Sequence, residues 1–198
     1  MPSETLKQAL KPRILVMNIL WFALTLTILL YVALAYVLNS ERQPEQPFEN
    51  SLRTALYLIA LSIGVLSLLF RSRSLSEGHV YDKLKEEVDP QALATNRETG
   101  VIDQERLKII KSLTPLETKV AGLSGMYFTA MLISLAMNEA VALFGLLLAI
   151  LERRPEPVIP FAVAGLALNL IIFPRFSQFV DKTMAKYPQV GRRSSGGF

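Results

Sequence analysis

The chain has 198 residues, of which 51% are hydrophobic and 19% are charged, and it carries a formal net charge of +4. This composition excludes a disordered chain and an ordinary soluble domain. Cysteine is absent from the sequence, which excludes disulfide frameworks, thiolate metal sites and thiol nucleophiles.

Four apolar stretches are long enough to cross a hydrocarbon core, which takes about 20 residues. They cover residues 14–38, 52–70, 120–151 and 158–180. The fourth reaches its length only by continuing past Pro174. We therefore expect an all-α integral membrane protein, with residues 1–198 forming one membrane domain of four transmembrane helices arranged as two hairpins.

Lysine and arginine are concentrated in three of the segments outside these stretches. Residues 1–13, 71–119 and 175–198 hold 17 of the 21 basic residues, whereas residues 39–53 and 152–157 hold four. Loops rich in Lys and Arg stay in the cytoplasm. We therefore expect both termini and residues 71–119 on the cytoplasmic side of a bacterial inner membrane. Because the basic residues flank membrane spans, they also argue against nucleic acid as a partner.

The cytoplasmic segment 71–119 contains two short stretches with apolar residues at helical spacing. These residues are Val80, Leu84 and Val88, followed by Leu107, Ile110 and Leu113. Asp89-Pro90 and Thr99-Gly100 interrupt the pattern between them. The spacing predicts two amphipathic helices at the membrane surface, and we interpret the segment as a connector that lies on lipid headgroups.

The segment Thr114-Pro115-Leu116-Glu117 has the composition of a helix start. Thr114 suits the N-cap, Pro115 the first helical position, and Glu117 completes a capping box. A helix from here to Leu151 is about 55 Å long, whereas a hydrocarbon core is about 30 Å thick. We therefore expect its first two turns to project into the cytoplasm.

Glu139 places an ionisable group within the third apolar stretch. A carboxyl group at membrane depth costs about 2.5–3.5 kcal/mol on insertion scales, and such residues usually face the protein interior and mark functional sites. Counted inward from Leu151 and Val158, Glu139 and Asn169 lie about 18 and 16 Å from the outer ends of their helices. We therefore expect Asn169 to form a hydrogen bond with Glu139, with Asn138 beside them, as an ion-binding site.

Two interpretations of this polar layer follow from the residues. Glu139 binds a proton or a cation such as sodium, or it stays neutral and donates a hydrogen bond to Asn169 as a packing contact, since burial favours the uncharged form. Thr25, on the first stretch, falls in the same layer. Small residues on the third and fourth stretches favour close packing within the bundle or between subunits. The glycines among them are Gly125, Gly145 and Gly165.

Residues 139–151 read Glu-Ala-Val-Ala-Leu-Phe-Gly-Leu-Leu-Leu-Ala-Ile-Leu. This segment resembles the carboxylate-bearing helix of rotary ATPase proteolipids, the c subunits, in which an aromatic–glycine pair begins five residues after a glutamate. In that family the glutamate reversibly binds a proton or a sodium ion while a ring of hairpins rotates. The resemblance implies an ion site at Glu139 and a close-packing position at Gly145. It covers 13 of the 198 residues, so we interpret the segment as a proteolipid-like helix in a different small protein.

The sequence contains no glycine-rich phosphate loop, metal-ligand cluster or nucleophile–base pair. We therefore expect no enzyme, cofactor or metal, but a non-enzymatic polytopic inner-membrane protein with a buried carboxylate site linked to a proton or a cation. The alternative is a structural or assembly subunit of a larger membrane complex, with Glu139 in a packing role. The expected partners are the lipid bilayer and either further copies of the chain or the subunits of such a complex.

Overall fold

A computed structural model describes residues 2–40, 50–95 and 100–188. Over these residues the chain is helical and has no β-strand. The helices are α1 (Glu4–Asn39), α2 (Asn50–Ser74), α3 (Glu77–Lys85), α4 (Pro90–Ala94), α5 (Gln104–Lys111), α6 (Pro115–Glu152), α7 (Val158–Ile171) and α8 (Phe176–Lys186).

Four helical segments of the described chain are long and apolar enough to cross a membrane. They are Glu4–Asn39, Asn50–Ser74, Pro115–Glu152 and Val158–Lys186. The prediction of an all-α chain with four such helices is therefore confirmed. Their arrangement as two hairpins and the cytoplasmic position of the termini stay predictions. Most of the predicted loop 39–51, and Thr99 of the second predicted break, lie outside the described residues.

The fourth apolar stretch, predicted as the span 158–180, lies within the candidate span Val158–Lys186 but is not one continuous helix. Helix α7 ends at Ile171 and α8 begins at Phe176. Pro174 lies between them; it lacks a backbone N–H, and its ring disfavours helical geometry at the residue before it. Helix α7 alone is therefore about 21 Å long.

The chain divides into two compact units. The first unit consists of Met1–Met17, Arg73–Thr129 and Pro174–Phe198, and the second of Asn18–Ser72 and Ala130–Phe173. The long helices α1 and α6 contribute residues to both units.

The first unit contains the short helices of the predicted connector. Helices α3 and α5 are confirmed, and they bury four of the six apolar residues predicted for them: Val80, Leu84, Leu107 and Ile110. Val88 and Leu113 lie beyond the ends of the two helices. The predicted break at Asp89-Pro90 is present, since α3 ends at Lys85 and Asp89 has an extended backbone. The short helix α4, which begins at Pro90, was not predicted. The Asp89 carboxylate accepts a hydrogen bond from the backbone N–H of Gln91 at 2.8 Å, and Pro90 occupies the first turn.

The start of α6 has the predicted capping box. The Glu117 carboxylate accepts a hydrogen bond from the backbone N–H of Thr114 at 3.0 Å, and the Thr114 hydroxyl accepts one from the N–H of Glu117 at 3.3 Å. The other Glu117 carboxylate oxygen accepts a hydrogen bond from the backbone N–H of Ser3, also at 3.0 Å. Glu117 is buried, so this carboxylate both caps α6 and holds the start of α1 against it.

In the second unit, α6 packs against parts of α1, α2 and α7. Ile28 of α1 clusters with Ala142, and Ala35 with Ala149, so α1 and α6 run in the same direction. On α2, Leu56 and Ala60 join Val141, Leu148 and Phe161 in a second cluster. Each of these three clusters also includes a residue of α7. Helices α6 and α7 therefore supply the core of this unit, and the parts of α1 and α2 that belong to the unit pack on it.

Candidate functional site

Glu139 lies on α6 and is half-buried in the second unit. The hydroxyl of Tyr31, on α1, donates a hydrogen bond to Oε1 of Glu139 over 2.8 Å. Tyr31 is also half-buried, and it packs against the cluster formed by Ile28, Ala142 and Ala162. The aromatic ring of Tyr31 thus packs among apolar side chains while its hydroxyl bonds the carboxyl group.

Asn138 and Asn169 form a separate polar cluster. Nδ2 of Asn138 donates to Oδ1 of Asn169 over 2.9 Å, and Nδ2 of Asn169 donates to the Thr25 hydroxyl over 3.2 Å. The indole N–H of Trp21 donates to the backbone carbonyl of Asn169 over 2.9 Å. Both asparagines are 0% exposed. Three helices are thus joined by hydrogen bonds where the bilayer offers none.

The predicted hydrogen bond between Glu139 and Asn169 is wrong. Consecutive residues of an α-helix point about 100° apart, so Asn138 and Glu139 point to different sides of α6. Asn138 faces α7 and reaches Asn169, whereas Glu139 faces α1 and reaches Tyr31. The three residues predicted as one ion-binding site therefore belong to two neighbouring sites.

One oxygen of the asparagine cluster has no hydrogen-bond partner within the part of the chain that the structure describes. It is Oδ1 of Asn138, which is fully buried. A buried acceptor without a partner is uncommon in native proteins, and water or an ion frequently satisfies it. Asn138, the residue before Glu139 in the chain, therefore offers an acceptor within the asparagine cluster. No group of three or more His, Cys, Asp or Glu side chains suited to a metal occurs over residues 2–40, 50–95 and 100–188.

The three predicted packing glycines differ in their surroundings. A Cβ built on Gly145 would lie 2.6 Å from Cβ of Phe161, and one built on Gly165 would lie 3.1 Å from the backbone carbonyl oxygen of Asn138. These two glycines allow α6 and α7 to approach each other closely. A Cβ on Gly125 would meet nothing within 4 Å among the described residues, so Gly125 permits no close helix contact within this part of the chain, and a packing role between subunits stays a prediction.

Tyr31 was not predicted as the partner of Glu139, although the distances of the two residues from the ends of their helices are compatible with this contact. Counted from the ends of α1 and α6 at Asn39 and Glu152, Tyr31 lies about 12 Å and Glu139 about 20 Å inward. Helical side chains lean toward the N-terminus. On two parallel helices, the long phenol of Tyr31 therefore reaches back to the level of the carboxyl group.

A second carboxylate contact in this unit was not predicted either. Arg53 of α2 donates from Nε and Nη2 to the two carboxylate oxygens of Glu152, over 2.7 and 2.6 Å. The Glu152 side chain is 4% exposed and that of Arg53 is 41% exposed. A bidentate pair with this geometry fixes orientation as well as charge. It joins the beginning of α2 to the end of α6.

The chain matches no protein-family model, no curated protein and no solved structure. The class of the protein therefore rests on its four long apolar helices, which indicate a multi-pass membrane protein. The resemblance of residues 139–151 to a proteolipid helix stays an expectation.

Proposed function

We propose that this chain is a non-enzymatic multi-pass protein of a bacterial inner membrane whose Glu139 carboxyl group reversibly binds a proton or a sodium ion. The observation that carries this proposal is the 2.8 Å hydrogen bond from the Tyr31 hydroxyl to Glu139. A carboxyl oxygen accepts such a bond whether or not the group carries a proton. Tyr31 therefore holds the carboxyl group in place through a change of charge.

The surroundings of Glu139 support this function in two further ways. The neighbouring Asn138 keeps a buried amide oxygen available to water or a cation. The segment 139–151 also resembles the ion-binding helix of rotary ATPase proteolipids, although only Glu139 carries over as an ion site. Ionisable residues that face the interior of a membrane domain commonly mark ion or proton pathways.

A second candidate function is that of a structural or assembly subunit of a membrane complex. The same hydrogen bond favours it, because a link from Tyr31 on α1 to Glu139 on α6 is also a packing contact. The variant Glu139→Gln distinguishes the two proposed functions. The amide oxygen of glutamine accepts the Tyr31 hydroxyl, so packing survives, whereas glutamine cannot release a proton.

The experiment is a flux measurement on the purified chain in liposomes that contain a pH-sensitive dye. An imposed pH gradient or an inward sodium gradient should give proton flux above that of protein-free liposomes. Glu139→Gln should abolish this flux and leave the thermal stability close to that of the wild type. Tyr31→Phe should reduce it, since the carboxyl group loses its positioning partner. Glu156→Gln, an exposed change outside the spans, is the matched control and should leave the flux intact.

Two results would contradict ion handling. One is wild-type flux equal to that of protein-free liposomes under both gradients. The other is an equal loss in Glu139→Gln and Glu156→Gln. If flux is absent and the chain extracts in mild detergent with stoichiometric partner subunits, the assembly function takes its place.

A further inference from the structure

A cavity of about 330 Å³ lies within the first unit, away from Glu139. It is bounded by α1, α5 and residues 124–129 of α6. Its polar lining consists of Arg13, Arg106, Ser124 and Thr129, and apolar side chains including Val16 and Phe128 form much of the remainder. The cavity therefore combines two guanidinium groups with an apolar wall.

The charged side chains that line this cavity are both basic. Arg13 donates from Nη1 to the Ser124 hydroxyl, which in turn donates to the backbone carbonyl of Ala121 over 2.5 Å. Nε of Arg106 is buried and has no hydrogen-bond partner among the described residues. No lining residue that the structure describes is acidic. A buried guanidinium N–H without a partner is costly unless an anion or water meets it.

The absence of a side chain at Gly125 leaves open space in this cavity. Gly125 lines the cavity, and a Cβ built on it meets nothing within 4 Å in the described chain. Arg13 immediately precedes the apolar run that begins at Ile14, which is the position where charged side chains meet lipid headgroups. Along α1, Arg13 at the expected level of the headgroups therefore precedes Val16, which belongs to the apolar wall of the cavity.

We propose that this cavity binds an anionic phospholipid from the cytoplasmic leaflet. Arg106 and Arg13 pair with the phosphate, because a guanidinium matches phosphate oxygens with parallel hydrogen bonds. The Ser124 hydroxyl holds Arg13 in position, and the beginning of an acyl chain lies along Val16 and Phe128. Basic pockets between membrane helices on this side are known to favour anionic headgroups.

The test is a lipid titration of the delipidated full-length chain in a non-ionic detergent, read by native mass spectrometry. Dioleoyl phosphatidylglycerol is compared with dioleoyl phosphatidylcholine, which has the same acyl chains, and with inorganic phosphate as a competitor. Wild-type protein should bind the anionic lipid at least roughly fivefold more tightly than the zwitterionic one, the factor that corresponds to one basic side chain near a headgroup. Inorganic phosphate at an equal concentration should not displace it.

Four variants localise the binding. Arg106→Gln should remove the preference for the anionic lipid, and Arg106→Lys should restore part of it because the charge returns without the planar fork. Gly125→Leu should prevent binding of the anionic lipid without a change of charge, because its side chain occupies the cavity. Lys108→Gln, an exposed change on the same short helix, is the matched control and should leave binding unaltered.

Three results would overturn the proposal. Equal affinity for the two lipids in the wild type excludes a headgroup site, and displacement by inorganic phosphate indicates a site for a free anion. An equal loss in Lys108→Gln and Arg106→Gln indicates diffuse attraction to basic surface. If Arg106→Gln does not elute as a folded species in size-exclusion chromatography, Gly125→Leu decides the question, and unchanged lipid binding in that variant contradicts the proposal.

Discussion

Adding one methyl group at two glycines of α6 should change the stability of the protein in opposite directions. At Gly145, a new Cβ would lie 2.6 Å from Cβ and 2.9 Å from Cγ of Phe161. Carbon atoms pack best at about 3.5–4.0 Å, so Phe161 must move by about 1 Å. Phe161 is 2% exposed, and its ring stacks on Tyr57 with centroids 4.5 Å apart, which limits that movement.

The magnitudes follow from two opposing effects. Overpacking a well-filled core costs about 1–3 kcal/mol, and replacing glycine by alanine inside a helix returns about 0.5–1 kcal/mol. We therefore expect Gly145→Ala to lower the free energy of unfolding by about 1–2 kcal/mol. Gly125→Ala meets no neighbour within 4 Å in the described structure and should raise it by up to about 1 kcal/mol.

The assay is reversible unfolding in bicelles with increasing sodium dodecyl sulfate, followed by circular dichroism. Gly125→Ala is the matched control, since it makes the same chemical change on the same helix. Unfolding of Gly145→Ala at the wild-type detergent fraction would contradict the close contact between Gly145 and Phe161. Equal destabilisation of Gly125→Ala and Gly145→Ala would contradict it as well.

Three further predictions concern the contacts between helices and the topology. In a double-mutant cycle, Asn138→Leu and Asn169→Leu should show a coupling of about 0.6–1.7 kcal/mol, the range for hydrogen bonds between membrane helices; strict additivity would exclude their pairing. Arg53→Gln should destabilise the protein by about 1–3 kcal/mol, because it leaves the buried carboxylate of Glu152 without its charged partner, and Arg53→Gln combined with Glu152→Gln should recover part of the loss in the same unfolding assay. A single cysteine at Glu156, in a chain that has no other cysteine, should react with a membrane-impermeant thiol reagent in intact cells; reaction only after permeabilisation would reverse the predicted orientation.

The helices were predictable because their signals are local. Apolar runs, and the capping box of Thr114 and Glu117, depend on neighbouring residues and were read directly from the chain. The break between α7 and α8 was missed because the apolar composition on both sides of Pro174 suggested continuity. The backbone constraint of that proline outweighed the hydrophobic pattern.

The partners within the candidate site were less predictable, because they depend on rotation as well as depth. Depth alone placed Glu139, Asn138 and Asn169 in one layer. Because consecutive helical residues point in different directions, Asn138 contacts α7 and Glu139 contacts α1 in the structure. Which helix lies on which side of α6 is a tertiary property, and no local pattern of a single sequence contains it. Gly125 shows the same limit, since a glycine that lines a cavity and one that permits close packing look alike in sequence.

The proposed function requires that Glu139 gain and lose a proton within the membrane domain. Infrared difference spectroscopy of the chain in lipid bilayers, between acidic and alkaline buffers, measures this directly through the carbonyl stretch of a protonated carboxyl group. We expect a pH-dependent band that is absent in Glu139→Gln, shifted in Tyr31→Phe through loss of the hydrogen bond, and unchanged in Glu156→Gln. A spectrum in which Glu139→Gln removes no pH-dependent carboxyl band would contradict the proposed function and leave Glu139 as a packing residue.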